Sequence, residues 1–300
     1  MSGTFSVLLQ YLLPKRALTS VAGKFSNWQG GAVTAAAIAA FAHRYRINMS
    51  EAEQPDLLAY ASFNDFFTRA LRPGARPLAE ADLVCPVDGA ISEYGAIAGN
   101  RIFQAKGHHY STLALLGGDA GLAAKFENGS FATLYLSPRD YHRIHMPCAG
   151  RLSRMIHVPG SLFSVSPAVV RGVPGLFARN ERVVCVFESE SGPFALVLVG
   201  AVIVGSVATV WHGTVTPPRH RRMSIWNYED RNRNEYRAGD GDGSDEKTAV
   251  ELAQGAEMGR FMLGSTVIAL FARPDTHFAP AWMPGRPVRM GEAMGRLGAS

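Results

Sequence analysis

The chain has 300 residues, 47% of them hydrophobic, enough for a sizeable core in one large domain or two small ones and too apolar for a disordered segment. Its formal net charge is +5, and the basic residues Lys15, Arg16 and Lys24, then Arg219, Arg221 and Arg222, favour a polyanion, either nucleic acid or an anionic membrane face. No zinc-finger spacing or aromatic-basic RNA-binding motif accompanies that charge, which argues against nucleic acid; three scattered cysteines, Cys85, Cys148 and Cys185, argue against a disulfide framework and fit a reducing compartment.

The amino terminus has no basic residue before its first apolar stretch and no small-residue cleavage site, so it does not read as a secretory signal. Phe5 to Leu13 is apolar apart from Ser6 and Gln10, ends at Pro14 and runs into Lys15-Arg16. Ala32 to Ala42 is a second apolar stretch, closed by His43-Arg44-Tyr45-Arg46. Both fall short of the roughly 20 residues that a bilayer span needs. Apolar helices beside basic residues suit helices lying in a membrane interface; packing on the protein's own core is the alternative.

Beyond residue 80 the pattern changes to short apolar runs, Phe131 to Leu136, Val183 to Phe187 and Thr266 to Ala272, which predict strands. Phe194 to Trp211 carries no charge and reaches spanning length, but its valines and the breaks at Gly200, Gly205 and Ser206 predict two buried strands meeting at a bend. The expected fold class is α+β: N-terminal helices in a membrane-associating region, 1–62, then a largely antiparallel, β-rich domain, 63–300.

His142 and His145 stand three apart beside Asp140, and His108-His109 lie earlier; without matched ligand motifs this is a weak metal signal, and no metal is expected. Arg231 to Lys247 is a polar, low-complexity loop. Its Asp240, Asp242 and Ser244, with Glu251, match four positions of a calcium loop, but Asp245 stands where the sharp turn needs glycine. There is no Walker A loop and no Gly-x-Ser-x-Gly elbow.

Near the end, Leu263-Gly264-Ser265-Thr266 leads into a strand-like run. Glycine has no side chain to block a serine hydroxyl from the preceding carbonyl and tolerates strained backbone angles, so Gly264-Ser265 permits self-cleavage. Attack of Ser265 on the Gly264 carbonyl turns the amide into an ester; elimination and loss of ammonia then leave a pyruvoyl group, an electron sink, at the new amino terminus. An ordinary turn before a strand is the plainer reading of the dipeptide alone.

The longer run Gly259-Arg260-Phe261-Met262-Leu263-Gly264-Ser265-Thr266-Val267-Ile268 resembles the processing site of the bacterial-type phosphatidylserine decarboxylases. Four further stretches resemble the same family, in its order: Phe63 to Arg69 with Leu71 to Pro77; Pro86-Val87-Asp88-Gly89; Tyr135 to Pro147; and Leu176 to Val183. The resemblance implies decarboxylation of phosphatidylserine to phosphatidylethanolamine through a Schiff base with a pyruvoyl group made from Ser265. It implies a charge relay for self-cleavage in which His145 takes the Ser265 proton and Asp88 orients the imidazole. His142 is the candidate proton donor to the substrate α-carbon. Leu162 to Pro167 resembles a loop near the substrate, with Phe163 and Ser166 as candidate contacts; the family usually has asparagine where Ser166 stands. The implied partners are phosphatidylserine, an anionic membrane surface and the cleaved chains 1–264 and 265–300 held together as a heterodimer open to further oligomerisation, with no nucleic acid. The implied location is the cytoplasmic side of the cell membrane, peripherally bound. A pyruvoyl decarboxylase of a soluble amino acid and a non-catalytic lipid-binding relative are the alternatives.

Overall fold

The structure, a computed structural model, describes residues 10–11, 13–202, 206–217, 222–228, 249–262 and 265–298. Most of the stretch from Phe5 to Leu13, Arg219, Arg221, the 231–247 loop and Gly264 therefore lie outside the described residues.

Two helices, α1 (Lys15–Asn27) and α2 (Ala32–Tyr45), are followed by 3-10 turns at Met49–Glu51 and Leu57–Ala59 and the short α3 (Phe63–Phe67). Ser62 and Asp65 cap α3 reciprocally, each side chain accepting from the other's backbone N–H. Thr34, Ile38 and Ala42, four apart, turn one face of α2 inward, and Ile38 and Ala42 meet Phe66 in a small helical core edged by Phe41, Tyr60 and Phe63. Only that one face is buried: Val33, Ala36, Ala39 and Ala40 of the same apolar stretch stay exposed. A second exposed apolar face lies on α1, where Leu18, Val21 and Phe25 at helical spacing, followed by Trp28, stand in solvent.

The β body begins with β1 (Leu83–Val84), β2 (Gly89–Ala96) and the hairpin of β3 (Arg101–Ala105) and β4 (His108–Ser111). After the short helices α4 (Thr112–Leu115) and α5 (Ala120–Ala124) come β5 (Ser130–Leu136), β6 (Arg143–His145) and β7 (Gly150–Val158). Helices α6 (Pro167–Val170) and α7 (Leu176–Arg179) precede β8 (Arg182–Ser189), β9 (Gly192–Val199), β10 (Val207–Thr209), β11 (Gly213–Thr216) and β12 (Ser224–Asn227). The chain closes with β13 (Glu251–Leu252), β14 (Glu257–Phe261), β15 (Ser265–Phe271), β16 (Thr276–Phe278), β17 (Pro287–Val288) and β18 (Ala293–Leu297). The uncharged run from Phe194 to Trp211 divides into β9 and β10, which belong to different sheets.

The principal sheet runs β12-β7-β8-β9-β15-β5-β2-β17, with β13 also paired to β7; a second runs β11-β10-β14-β6 and a third β1-β18-β16. Every strand pairing in these sheets is antiparallel, as expected. Alternate residues of the central strands serve two cores. Val267, Ala269 and Phe271 of β15 join Leu134, Leu196 and Cys185 against Met258, Phe261 and Val207 of the second sheet. Ile268 and Leu270 join Val184 and Val197 against the helices and hairpin of the other side, including Ile102, Leu122 and Phe177. A sheet covered on both faces needs apolar residues at every position of its strands, which is why these segments read as unbroken apolar runs.

Candidate active site

Ser265 is the first residue of β15, opposite Leu136 of β5, and one residue before Thr266, which pairs with Val199 of β9. Strand alternation puts it on the same face as Val267 and Ala269, toward the second sheet. It is fully buried, and among the described residues its Oγ has no hydrogen-bond partner. Leaving a buried hydroxyl unpaired costs about 1–3 kcal/mol, a cost that Ser265 shares with Thr133 and with its own neighbour Thr266.

The two histidines flank β6. His145 ends the strand: its N–H donates to the Pro86 carbonyl (2.8 Å), two residues from Asp88. Its ring lies between the Gly255 carbonyl, 2.8 Å from Nδ1, and the Tyr141 hydroxyl, 3.1 Å from Nε2. Burial lowers its pKa, against the opposing influence of the Gly255 carbonyl and the carboxylates of Glu257 and Asp88. His142 is wholly buried against the Phe67 ring of α3, 4.1 Å between centroids. Its Nδ1 is 2.8 Å from the Asp140 carbonyl and its Nε2 has no partner among the described residues. Its carbonyl accepts from Phe261, four residues before Ser265 (3.0 Å). Burial, outweighing the Asp140 hydrogen bond, pushes the His142 pKa down to about 3, so its imidazole is neutral at pH 7.

Asp88 sits just before β2, where Gly89 lets the strand approach β5: a Cβ there would lie 2.4 Å from the Tyr135 carbonyl oxygen. Its carboxylate is held by Arg76, with Nε to Oδ1 at 2.9 Å and Nη2 to Oδ2 at 2.6 Å, and by the Met290 N–H at 2.9 Å. The same Arg76 Nη2 donates to Glu51 at 2.7 Å. Burial opposes a charge on Arg76, but Asp88 and Glu51 outweigh it and hold the guanidinium above its ordinary pKa. Asp88 and His145 therefore stand on adjoining segments, while the ring nitrogens of His145 are taken by Gly255 and Tyr141 and the Asp88 oxygens by Arg76 and Met290. No direct hydrogen bond joins Asp88 to His145, as the sequence-based expectation of an orienting carboxylate would require.

The 162–167 loop packs near the same end of β15. Asn180 clamps it, accepting from the Phe163 N–H (3.0 Å) and donating to the carbonyls of Phe163 and Gly200 (2.8 and 2.9 Å). Phe163 is buried, and Ser166 occupies the N-cap of α6 without a side-chain capping bond. A cavity of about 320 Å³ runs beside the loop, lined among others by Val165, Pro167, Phe177, Tyr135 and Thr266, the neighbour of Ser265. A larger cleft of about 870 Å³, lined by Cys148, Arg151, Glu188 and Arg273, lies at the opposite end of β15, about 20 Å of strand away. Among the described residues no group of three or more His, Cys, Asp or Glu is arranged to hold a metal ion.

Arg76, Glu51, Tyr141 and Asn180 escaped the sequence reading as functional residues. Three of them lie inside the stretches that carry the family resemblance, which was the available signal; their partners, 238 residues away in the case of Glu51 and Arg289, were not. The sequence profile of a family described as phosphatidylserine decarboxylase matches residues 63–296, and a second, described as PSD, matches 5–46. The chain is 64% identical over 294 residues to a protein of Methylibium petroleiphilum, covering 98% of each, which is named phosphatidylserine decarboxylase proenzyme. Proteins of the same name from a Polaromonas species and from Dechloromonas aromatica are 61% and 59% identical, over 98% of this chain and 99% of theirs.

Proposed function

The chain belongs to the phosphatidylserine decarboxylase family, and on that premise we propose that it converts phosphatidylserine to phosphatidylethanolamine with a pyruvoyl group made from its own Ser265. The observation that carries the reading is the buried, unpartnered Ser265 hydroxyl at the head of a core strand, with His142 tied to the strand that leads into it.

In self-cleavage, Ser265 Oγ attacks the Gly264 carbonyl carbon as its proton passes to a base. The peptide nitrogen leaves that carbon, so an ester replaces the amide. Loss of the Ser265 α-proton then expels the Gly264 carboxylate, and water releases ammonia to leave the ketone. His145 is the base we assign: its Nε2 takes the proton once the Tyr141 hydroxyl, 3.1 Å away, turns from it and frees the lone pair. Asp88 stands two residues from the backbone bond that fixes His145, where its charge favours the protonated ring. A buried site with an orphaned serine oxygen fits the group that would form there.

The pyruvoyl group supplies a carbonyl for the substrate amine and a sink for the electrons released with carbon dioxide. The chain's own part is to exclude water, orient the serine head and return a proton. For that proton we assign His142 Nε2; an incoming anionic substrate raises the affinity of this neutral, buried imidazole for the proton it then delivers. The cavity beside Phe163 and Ser166 is the proposed substrate pocket.

Membrane contact rests on α1. No helix among the described residues is long and apolar enough to cross a bilayer, but Leu18, Val21, Phe25 and Trp28 present an apolar face. The first 50 residues contain five basic residues, Lys15, Arg16, Lys24, Arg44 and Arg46, and no Asp or Glu, so they account for the whole formal charge of +5. Such a face suits peripheral attachment to an anionic leaflet, which we place on the cytoplasmic side.

Intact mass of wild type against Ser265→Ala tests the proposal. The expected wild type is two chains broken after Gly264, the smaller lighter by one ammonia than its serine-started sequence, with carbon dioxide released from phosphatidylserine. A folded wild type that stays whole would refute it.

A further inference from the structure

Two cations share one aromatic ring beside the proposed substrate loop. The Lys15 ammonium lies 4.5 Å from the centroid of Phe163, and the Arg179 guanidinium carbon 4.8 Å from the same centroid. Arg179 also lies 5.8 Å from the ring of Tyr11, which meets Phe163 edge-on at 5.3 Å, and its Nη1 donates to the Tyr11 hydroxyl at 3.4 Å. Lys15 donates to the Gln10 carbonyl, and the Gln10 side chain accepts from Ser164 N at 2.9 Å, so the chain before α1 is fastened to the loop. No carboxylate pairs with either cation among the described residues. The chain has no acidic residue at all before Glu51.

Holding two like charges over one ring, partly out of water, is unfavourable unless an anion joins them. Burial, with the Arg179 charge, lowers the Lys15 pKa against the opposing influence of Tyr11. Position indicates which anion. Phe163 is clamped through Asn180 to Gly200, which follows Val199, the partner of Thr266, so the cation pair and Ser265 are joined by one short chain of contacts. On the other side Lys15 opens α1, whose exposed apolar face is the proposed lipid contact. From the membrane inward the order is apolar face, cation pair, then Ser265. A phospholipid presents its acyl chains, its phosphodiester and its amino-acid head in that same order.

We propose that Lys15 and Arg179 form, over Phe163, the site that takes the phosphodiester of the substrate lipid. The inference rests on the decarboxylase reading and deepens it. The guanidinium offers a planar pair of donors and the ammonium a point charge, a combination suited to two phosphate oxygens. The same pair could instead meet phosphates of the bilayer at large, and the experiment separates the two sources.

Self-processed wild type, Lys15→Gln, Arg179→Gln and Arg179→Lys are assayed on dihexanoyl phosphatidylserine below its micelle concentration, without bilayer or detergent. The Gln variants are expected to raise KM about tenfold or more, with kcat within about twofold and fragment masses unchanged, and Arg179→Lys to restore part of the loss. Binding of all four proteins to vesicles of equal phosphatidylcholine and phosphatidylglycerol is expected to persist. Unchanged KM in both Gln variants overturns the site, and unchanged KM with lost vesicle binding assigns the cations to the bilayer instead. Should the variants not fold, the wild type decides: glycerophosphoethanolamine is expected to compete with the monomeric substrate far better than ethanolamine, and equal inhibition overturns the site. A wild type that turns over no phosphatidylserine overturns the decarboxylase reading and the site with it, an outcome distinct from variants that merely match an active wild type.

Discussion

Replacing Arg76 by Met, in a Ser265→Ala background that keeps the chain whole, isolates the ion pair behind the site. The Arg76 and Asp88 side chains are only 7% and 11% exposed, and the guanidinium approaches the carboxylate at 2.6 Å. Without Arg76 the Asp88 carboxylate keeps one donor, the Met290 N–H, in a place that water scarcely reaches. Removing one partner of such a buried pair costs about 3–5 kcal/mol, where an exposed pair would cost about 0–1 kcal/mol. Urea denaturation followed by circular dichroism measures the loss from the shift in midpoint at constant m. Adding Asp88→Asn removes the stranded charge, so the double variant should recover part of the loss, leaving a coupling energy above about 1.5 kcal/mol. A loss below about 1 kcal/mol, or strictly additive variants, would refute the view that Arg76 holds a desolvated Asp88. With Ser265 restored, Arg76→Met should slow self-cleavage, read as the surviving fraction of whole chain over time.

His142, with a folded pKa near 3 against 6.5 in the free residue, binds its proton more weakly when folded; its contribution is complete above pH 6.5 and is lost as pH falls toward 3. Between pH 6.5 and 5 the Ser265→Ala protein should lose ~2 kcal/mol on this account, with His145 acting in the same direction, and His142→Phe should flatten the slope in urea titrations at each pH. Gly89→Ala drives a methyl group into the Tyr135 carbonyl; about 1–3 kcal/mol of stability and most self-cleavage should disappear, measured by melting and by gel. Val21→Asp with Phe25→Asp alters exposed positions, so stability should stay within about 0.5 kcal/mol per site while sedimentation with anionic vesicles falls sharply.

The strands at 131–136, 183–187 and 266–272 were legible because burial on both faces leaves no polar alternation to confuse them. Helix α2 was legible as a helix, but which of its faces packs was not: Ile38 and Ala42 meet Phe66, while Val33, Ala36, Ala39 and Ala40 stay exposed. The sparser Leu18, Val21 and Phe25 of α1 form a second exposed apolar face, and sparse helical spacing is easily passed over beside an alanine-rich neighbour. At the site, Ser265, His142, His145 and Asp88 were recognisable as residue types in motifs. The arrangement among them was not, because it depends on a carbonyl at Gly255, a backbone N–H at Met290 and an arginine that pairs two carboxylates at once. No pattern in the chain announces which main-chain group a ring nitrogen will meet.

The place of β15 makes folding a one-way event. While the chain is continuous, this strand enters the middle of the sheet between β9 and β5 as part of one polymer, and its closure is a unimolecular step. Once the bond before Ser265 is broken, the same strand belongs to a separate short chain whose Val267, Ile268, Ala269 and Leu270 are wholly buried. Unfolding the processed protein therefore releases two molecules that must find each other again, the shorter one as an apolar strand open to aggregation. The precursor should regain its structure after denaturant is removed in a manner independent of protein concentration, and the processed form should not. On the proposed self-cleavage, the seam that yields the reactive group is also the point past which the protein can no longer be built from its parts.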